Sequence, residues 1–222
     1  MQNWPAALRR QFEVLLAQFM TGTGTAWIGI AALECLGSAT MGGTRRLGGR
    51  LETLAGQPVS RAFVWVQGSD PELWLDPRDK SYRDLFDLFA RTRLGLPGRP
   101  TGTDWNVDHV FPKAAGGLDG LSHVRAMAIG APGNQALGRT MEKVMKQRAD
   151  AAPGRKRIRH ATWMTIGKAA GYDGWDSLPE VDAPANAPAV AGLFAYLARM
   201  GIHPPAGALE QGLTAHTMGR IR

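Results

Sequence analysis

The chain has 222 residues, 44% of them hydrophobic, and 26 Lys and Arg against 19 Asp and Glu give it a formal charge of +7. That is enough for one well-filled domain or a small domain with appendages, and the single cysteine, Cys35, excludes an internal disulfide framework. The basic balance suits a polyanionic partner, since each phosphate neutralised releases counterions.

Ala6 to Met20 reads as a helix, with Leu8, Phe12, Leu15, Leu16 and Phe19 recurring on one face. The Gly-Thr stretch Thr21 to Thr25 lacks the Gly-Lys-Ser/Thr that a phosphate-binding loop needs. Ala26 to Leu36 is expected to be a second, largely buried helix, with Cys35 as a small buried hydrophobe. It is the most apolar stretch of the chain. At about eleven residues, with Glu34 inside it, it is too short to span a bilayer. The basic start, Met1 to Arg10, leads into an amphipathic run containing Glu13, so no secretory signal is evident. The expectation is a soluble chain with no membrane partner, cytoplasmic or delivered by a dedicated secretion system. Gly37 to Gly49 is a Gly-rich loop with Arg45, Arg46 and Arg50 close together. Val59 to Val66 suits a strand, and Gly68 to Asp79 a turn-rich connector. Ser81 opens a helix with Asp84 as its capping-box partner. Leu85, Phe86, Leu88 and Phe89 form its apolar face, and Gly95 and Pro97 end it. Leu96 to Asp104 is a Pro/Gly linker.

The stretch Trp105 to Gln147 carries the chemistry. A strand, Trp105 to Val110, bears Asp108 and His109 and is stopped by Phe111-Pro112. Lys113 to Gly120 reads as a wide loop, Val124 to Ile129 as a second strand, and a helix runs from near Asn134 to about Arg148. In that helix Arg139, Lys143 and Lys146 share an outer side. A carboxylate oxygen and an amide oxygen suit a hard divalent cation. A neutral imidazole, with its ordinary pKa near ~6.5, can take a proton from water. Neighbours on a regular strand point to opposite faces. Asp108 and His109 therefore share one site only if the strand ends or twists between them, and Phe111-Pro112 makes such an ending plausible.

Arg155-Lys156-Arg157-Ile158-Arg159-His160 is the densest basic cluster, and it reads equally as a phosphate-contacting patch or a solvated loop. Thr162 to Ala170 suggests a helix with Trp163, Met164 and Ile166 inward. Tyr172 to Trp175 reads as a turn. Ala189 to Met200 is a helix stopped by Gly201, and a last short helix is expected near Leu209.

The order strand, Gly-rich loop, strand, helix resembles the HNH endonucleases, the ββα-metal nucleases. Asp108-His109-Val110-Phe111-Pro112 matches that family's first element, His123 stands where it usually has its middle Asn, and Asn134 stands where the helix supplies the last metal ligand. The resemblance covers about forty residues and implies an α+β fold: a ββα-metal core at 99–150 within mainly helical segments at 1–98 and 151–222. It implies metal-dependent phosphodiester hydrolysis. In that role His109 is general base, His123 supports it, and Asp108 and Asn134 hold one divalent ion, Mg²⁺ first, with Mn²⁺, Ni²⁺ or Zn²⁺ as other occupants. Arg139 and Lys143 on the helix, with Arg155, Lys156 and Arg157 beyond it, are the candidate backbone contacts. The resemblance ranks DNA ahead of RNA as partner and implies a 5′-phosphate product. With one cysteine, the structural zinc that many members carry on Cys-x-x-Cys pairs has no ligands here. Two alternatives stay open. One is a non-catalytic nucleic-acid binder that keeps the ββα shape. The other is the nuclease part of a toxin, with a cognate immunity protein as partner.

Overall fold

The structure, a computed structural model, describes residues 4–21, 26–37, 49–98, 104–139, 142, 146, 157–177 and 187–203. Its seven strands are β1 (Trp27–Ile30), β2 (Gly49–Thr53), β3 (Ala62–Gln67), β4 (Asp70–Leu75), β5 (Trp105–His109), β6 (His123–Gly130) and β7 (Ile158–His160). Its helices are α1 (Ala6–Met20), α2 (Glu34–Gly37), α3 (Tyr82–Arg93), α4 (Lys113–Leu118), α5 (Ala131–Arg139), α6 (Trp163–Ala170) and α7 (Ala187–Arg199). A 3-10 turn covers Gly174–Ser177. The fold is mixed α and β, around one curled antiparallel sheet.

The hub of the sheet is β6, whose eight residues are all buried. Along one edge β4 pairs with Val124 to Ala126. The other edge is shared: β1 takes His123 and Val124, and β5 takes Ala126 to Gly130, with Asp108 opposite Met127 and His109 opposite Ala126. Outward from β4 lie β3 and β2, and outward from β1 lies β7. Alternate residues of a strand serve opposite faces. Ala126 and Ala128 join Val107, Leu73 and α3's Leu85, Phe86 and Phe89 in one core. Met127 and Ile129 join Phe12 and Leu15 of α1, the apolar side chains of α6, and Leu193 and Leu197 of α7 in another. Asp108 and His109 thus fall at the end of β5 where the two cores meet.

Several expectations give way to the structure. The run Ala26–Leu36 is a buried strand followed by one helical turn. Four consecutive buried residues, Trp27–Ile30, fit between β6 and β7, and periodicity cannot separate such a strand from a buried helix. The connector Gly68–Asp79 contains β4. Gly68, at φ +61°, begins a two-residue turn between the paired Gln67 and Asp70. Pro71 costs no ladder bond, because its nitrogen faces the edge where β4–β6 pairing starts only at Leu73. Region 1–98 therefore supplies four strands and is not mainly helical. The strand expected at Val59 starts at Ala62. The expected loop Lys113–Gly120 contains α4, held by packing of Gly116 against Val124 and Pro77. Ser81 caps α3 without a side-chain bond, so no capping box forms; its own N–H is instead taken by Asp79 Oδ1 at 2.6 Å. The helix expected near Leu209 lies outside the described residues.

The helices α5 and α6 meet at glycines. A Cβ on Gly130 would stand 2.6 Å from Gly171 Cα, and Gly171 ends α6 in the left-handed region at φ +86°. Backbone cannot yield as a side chain can. Gly130→Ala is expected to lose about 1–3 kcal/mol of unfolding free energy in urea melts. Gly138→Ala, which meets nothing within 4 Å on α5, should be neutral or slightly stabilising. Equal behaviour of the two variants would remove the close-approach argument.

Candidate functional site

The helix α6 is buried on every side, Lys168 included. Thr162 caps it, and Gly171 terminates it. An ammonium in such a setting must find acceptors. Lys168 Nζ donates to Asp108 Oδ2 at 3.2 Å, to the His109 carbonyl at 3.0 Å and to Glu142 Oε1 at 2.5 Å, which uses all three of its protons. Burial lowers the Lys168 pKa, but the two carboxylates raise it more, and the net shift is upward. Burial pushes the Asp108 carboxyl up, while Lys168 and the neighbouring His109 hold it well below the usual carboxylate range. Asp108 is therefore ionised at neutral pH and keeps 19% of its side chain exposed.

The strand does not end between the two residues. β5 runs through both, with Asp108 opposite Met127 and His109 opposite Ala126, so their side chains leave opposite faces and come near each other only at the strand end. Asp108 Oδ1 curls back to accept the His109 N–H at 2.8 Å and lies 3.9 Å from His109 Nδ1. From there Asp108 reaches α6. The His109 ring sits 5.1 Å from the ring of Tyr82 on α3. Burial raises the Tyr82 phenol, and Asp108 adds to that shift. The His109 side chain is fully buried, and neither ring nitrogen has a hydrogen-bond partner.

Asn134 stands in the first turn of α5, which starts three residues earlier than expected, so it is not the cap. Its Oδ1 is buried and likewise without a partner. The helix packs on β5, β6 and α6, and Asn134 Oδ1 forms no hydrogen bond with Asp108 or His109. A carboxylate oxygen and an amide oxygen are donor types that a hard cation takes. Asp108 Oδ2 meets Lys168 at a distance longer than the ~2.7–2.9 Å of a strong charge-assisted bond and keeps free lone pairs. Asn134 Oδ1 is uncommitted. Among the described residues no group of three or more His, Cys, Asp and Glu could hold a metal, so an ion here would need the amide and water to complete its shell.

The structure corrects the placement of His123. Its Nε2–H donates to the Val59 carbonyl at 2.8 Å, its Nδ1 faces Ser122 Oγ at 2.9 Å, and its ring packs edge-on against Phe63 at 4.9 Å. His109 pairs across from Ala126, three residues further along β6 and roughly 10 Å away at strand rise. The odd separation puts His123 on the other face, so its side chain does not support His109. Burial lowers the His123 pKa, offset in part by the Val59 carbonyl. A depressed folded pKa means stability present above the unfolded value of ~6.5 and lost as pH falls through the folded one. His123→Gln, which keeps a donor for Val59, is expected to flatten the fall in stability from pH 7 to pH 5. Identical pH slopes for the two proteins would refute that assignment.

Of the candidate phosphate contacts, Arg139 is exposed at the end of α5 and Arg157 is exposed before β7. Lys143, Arg155 and Lys156 lie outside the described residues. Arg159, from the same basic cluster, is structural: it pairs with Asp119 and lies 4.9 Å over the Phe111 ring. Sequence reading missed Lys168, Glu142 and Tyr82. A lone Lys in the apolar run Trp163–Ala170 was the available signal, because a charge on a fully buried helix must be paired. Among the described residues no helix is long and apolar enough to cross a membrane. No protein-family model, no curated protein and no solved structure matches the chain.

Proposed function

We infer that the chain is a metal-dependent endonuclease of the ββα-metal kind, hydrolysing nucleic-acid phosphodiesters, with DNA ahead of RNA. One observation carries the reading. Three buried polar atoms, both ring nitrogens of His109 and Asn134 Oδ1, have no hydrogen-bond partner, and His109 adjoins a carboxylate held ionised at a strand end, on the strand against which the helix of Asn134 packs. An unsatisfied buried polar atom costs about 1–3 kcal/mol, and such atoms concentrate where a protein binds or reacts.

In this reading Asp108 and Asn134 hold one divalent cation, Mg²⁺ or a similar ion. Bound there, the cation relieves charge on the phosphate and the leaving oxygen. His109 takes the proton of the attacking water on a ring nitrogen. Tyr82 fixes the ring plane from one side. Lys168 fixes the Asp108 carboxylate and the His109 carbonyl together, so the ligand and the base are set by one ammonium. A second reading, nucleic-acid binding without catalysis, draws on the complete burial of the His109 ring and on the neutralisation of Asp108 by Lys168.

Nicking of supercoiled plasmid separates the two. The expected result is relaxation and linearisation in Mg²⁺ or Mn²⁺ that stops on addition of EDTA. A folded protein that shifts plasmid on a gel and leaves it supercoiled with either metal would reduce the function to binding.

A further inference from the structure

We propose that Lys113 and Arg83, brought together over the ring of Tyr82, form a seat for the phosphodiester backbone of a nucleic acid beside His109; the proposal rests on the nuclease reading and names where its substrate lies. Lys113 opens α4, four residues after His109, and Arg83 follows Tyr82 on α3. The Lys113 ammonium stands 4.8 Å from the centre of the Tyr82 ring and the Arg83 guanidinium 5.1 Å from it, while the other neighbour of that ring is the imidazole of His109. Both cations are exposed.

The nearby carboxylates are committed to other groups. Asp76 is taken by Arg78 at 2.7 Å, and Asp79 is taken by Arg61 at 2.5 Å and by the Ser81 N–H. Asp84 acts on Arg61. Among the described residues Lys113 and Arg83 form no ion pair, and both rest on an aromatic face instead. Elsewhere on the surface Arg10 pairs with Asp70, Arg91 with Asp87 and Arg93 with Glu52. An aromatic face steadies a cation without neutralising it. Two such cations on one ring therefore present a fixed positive pair to an anion from solvent. The α4 segment leans on the 76–80 turn, where Gly116 approaches Pro77 and Gly117 approaches Arg78, so the pair is held by two packed elements. Backbone contacts of this kind position a strand and carry no base information.

The test is the salt dependence of binding, measured by fluorescence anisotropy in EDTA on a labelled 30-base-pair duplex of DNA and on the RNA duplex of the same sequence. For the double variant Lys113→Gln/Arg83→Gln the slope of log affinity against log salt should become shallower by about 1.8, at ~0.9 for each phosphate that the protein no longer neutralises. Affinity at low salt should fall at least about tenfold, equally for unrelated sequences. Lys113→Arg/Arg83→Lys should restore the slope. Arg10→Gln/Arg91→Gln, with the same change in net charge, should leave it unaltered. Whichever duplex binds more tightly identifies the backbone that is recognised. Wild-type protein that nicks plasmid while the double variant keeps its slope would overturn the seat and leave the nuclease reading standing. Wild-type protein that binds with the expected slope change and never nicks would do the reverse. Binding of neither duplex would overturn the seat outright.

Discussion

Lys168→Met is expected to lower the unfolding free energy by about 3 kcal/mol at pH 7, at the low end of the ~3–5 kcal/mol typical of breaking a buried ion pair. The loss comes from what remains behind. Asp108 and Glu142 would face each other across a methyl group with no cation between them. They keep 19% and 21% of their side chains exposed, so water recovers part of the cost, which places the value at the bottom of the range. The pH dependence carries a sign. The Asp108 carboxyl is depressed in the folded protein, so its contribution is present above the unfolded value of ~3.9 and lost as pH falls through the folded one. Lys168 is shifted upward, and its contribution is present below ~10.4 and lost at higher pH. Removing the ammonium leaves burial opposed only by His109 and raises the Asp108 pKa. The variant then recovers, relative to wild type, as the carboxylates protonate. Urea melts at pH 7 and pH 3.5 should show the larger difference at pH 7. A loss under ~1 kcal/mol at pH 7 would show that the buried trio is not a structural lock.

The second large effect concerns rate. His109→Ala should slow metal-dependent nicking by about 10²–10⁴-fold, the usual contribution of a positioned general base. The imidazole is fully buried, so truncation leaves a cavity and lowers stability. His109→Gln, closer in volume, separates that from chemistry, since an amide fills the space and cannot take the proton. Both variants should bind duplex DNA as wild type does, because the proposed seat lies on Lys113 and Arg83. Nicking by His109→Gln within a few fold of wild type would end the base assignment. A loss of nicking matched by loss of the folded signal would point to packing.

Helices whose apolar residues recur at helical spacing were legible in the sequence. Leu8, Phe12 and Leu15 of α1 and Leu85, Phe86 and Phe89 of α3 lie where their spacing puts them. The strand bearing Asp108 and His109, the strand after it and the helix that follows were legible as well, since Pro112, Gly130 and Pro132 punctuate them, but the wide loop expected between the strands holds α4. The misread segments share one physical cause. Trp27–Ile30 and Asp70–Leu75 are strands because β6 and β3 offer them edges, and an edge donated by a distant segment leaves no mark on local periodicity. Likewise the Gly-rich α4 is poor in helix formers and is helical because Val124 and Pro77 pack against it.

The chain by itself determined which groups are chemically able: a carboxylate, an imidazole and an amide in an order that resembles a known nuclease motif. Only the tertiary structure decided where they stand and what they touch. It turned His123 to the opposite face of β6, because side chains an odd number apart on a strand cannot share a face. It brought Lys168, 60 residues further along, onto Asp108, because a charged group on a fully buried helix must find its counter-charge wherever the packing supplies one.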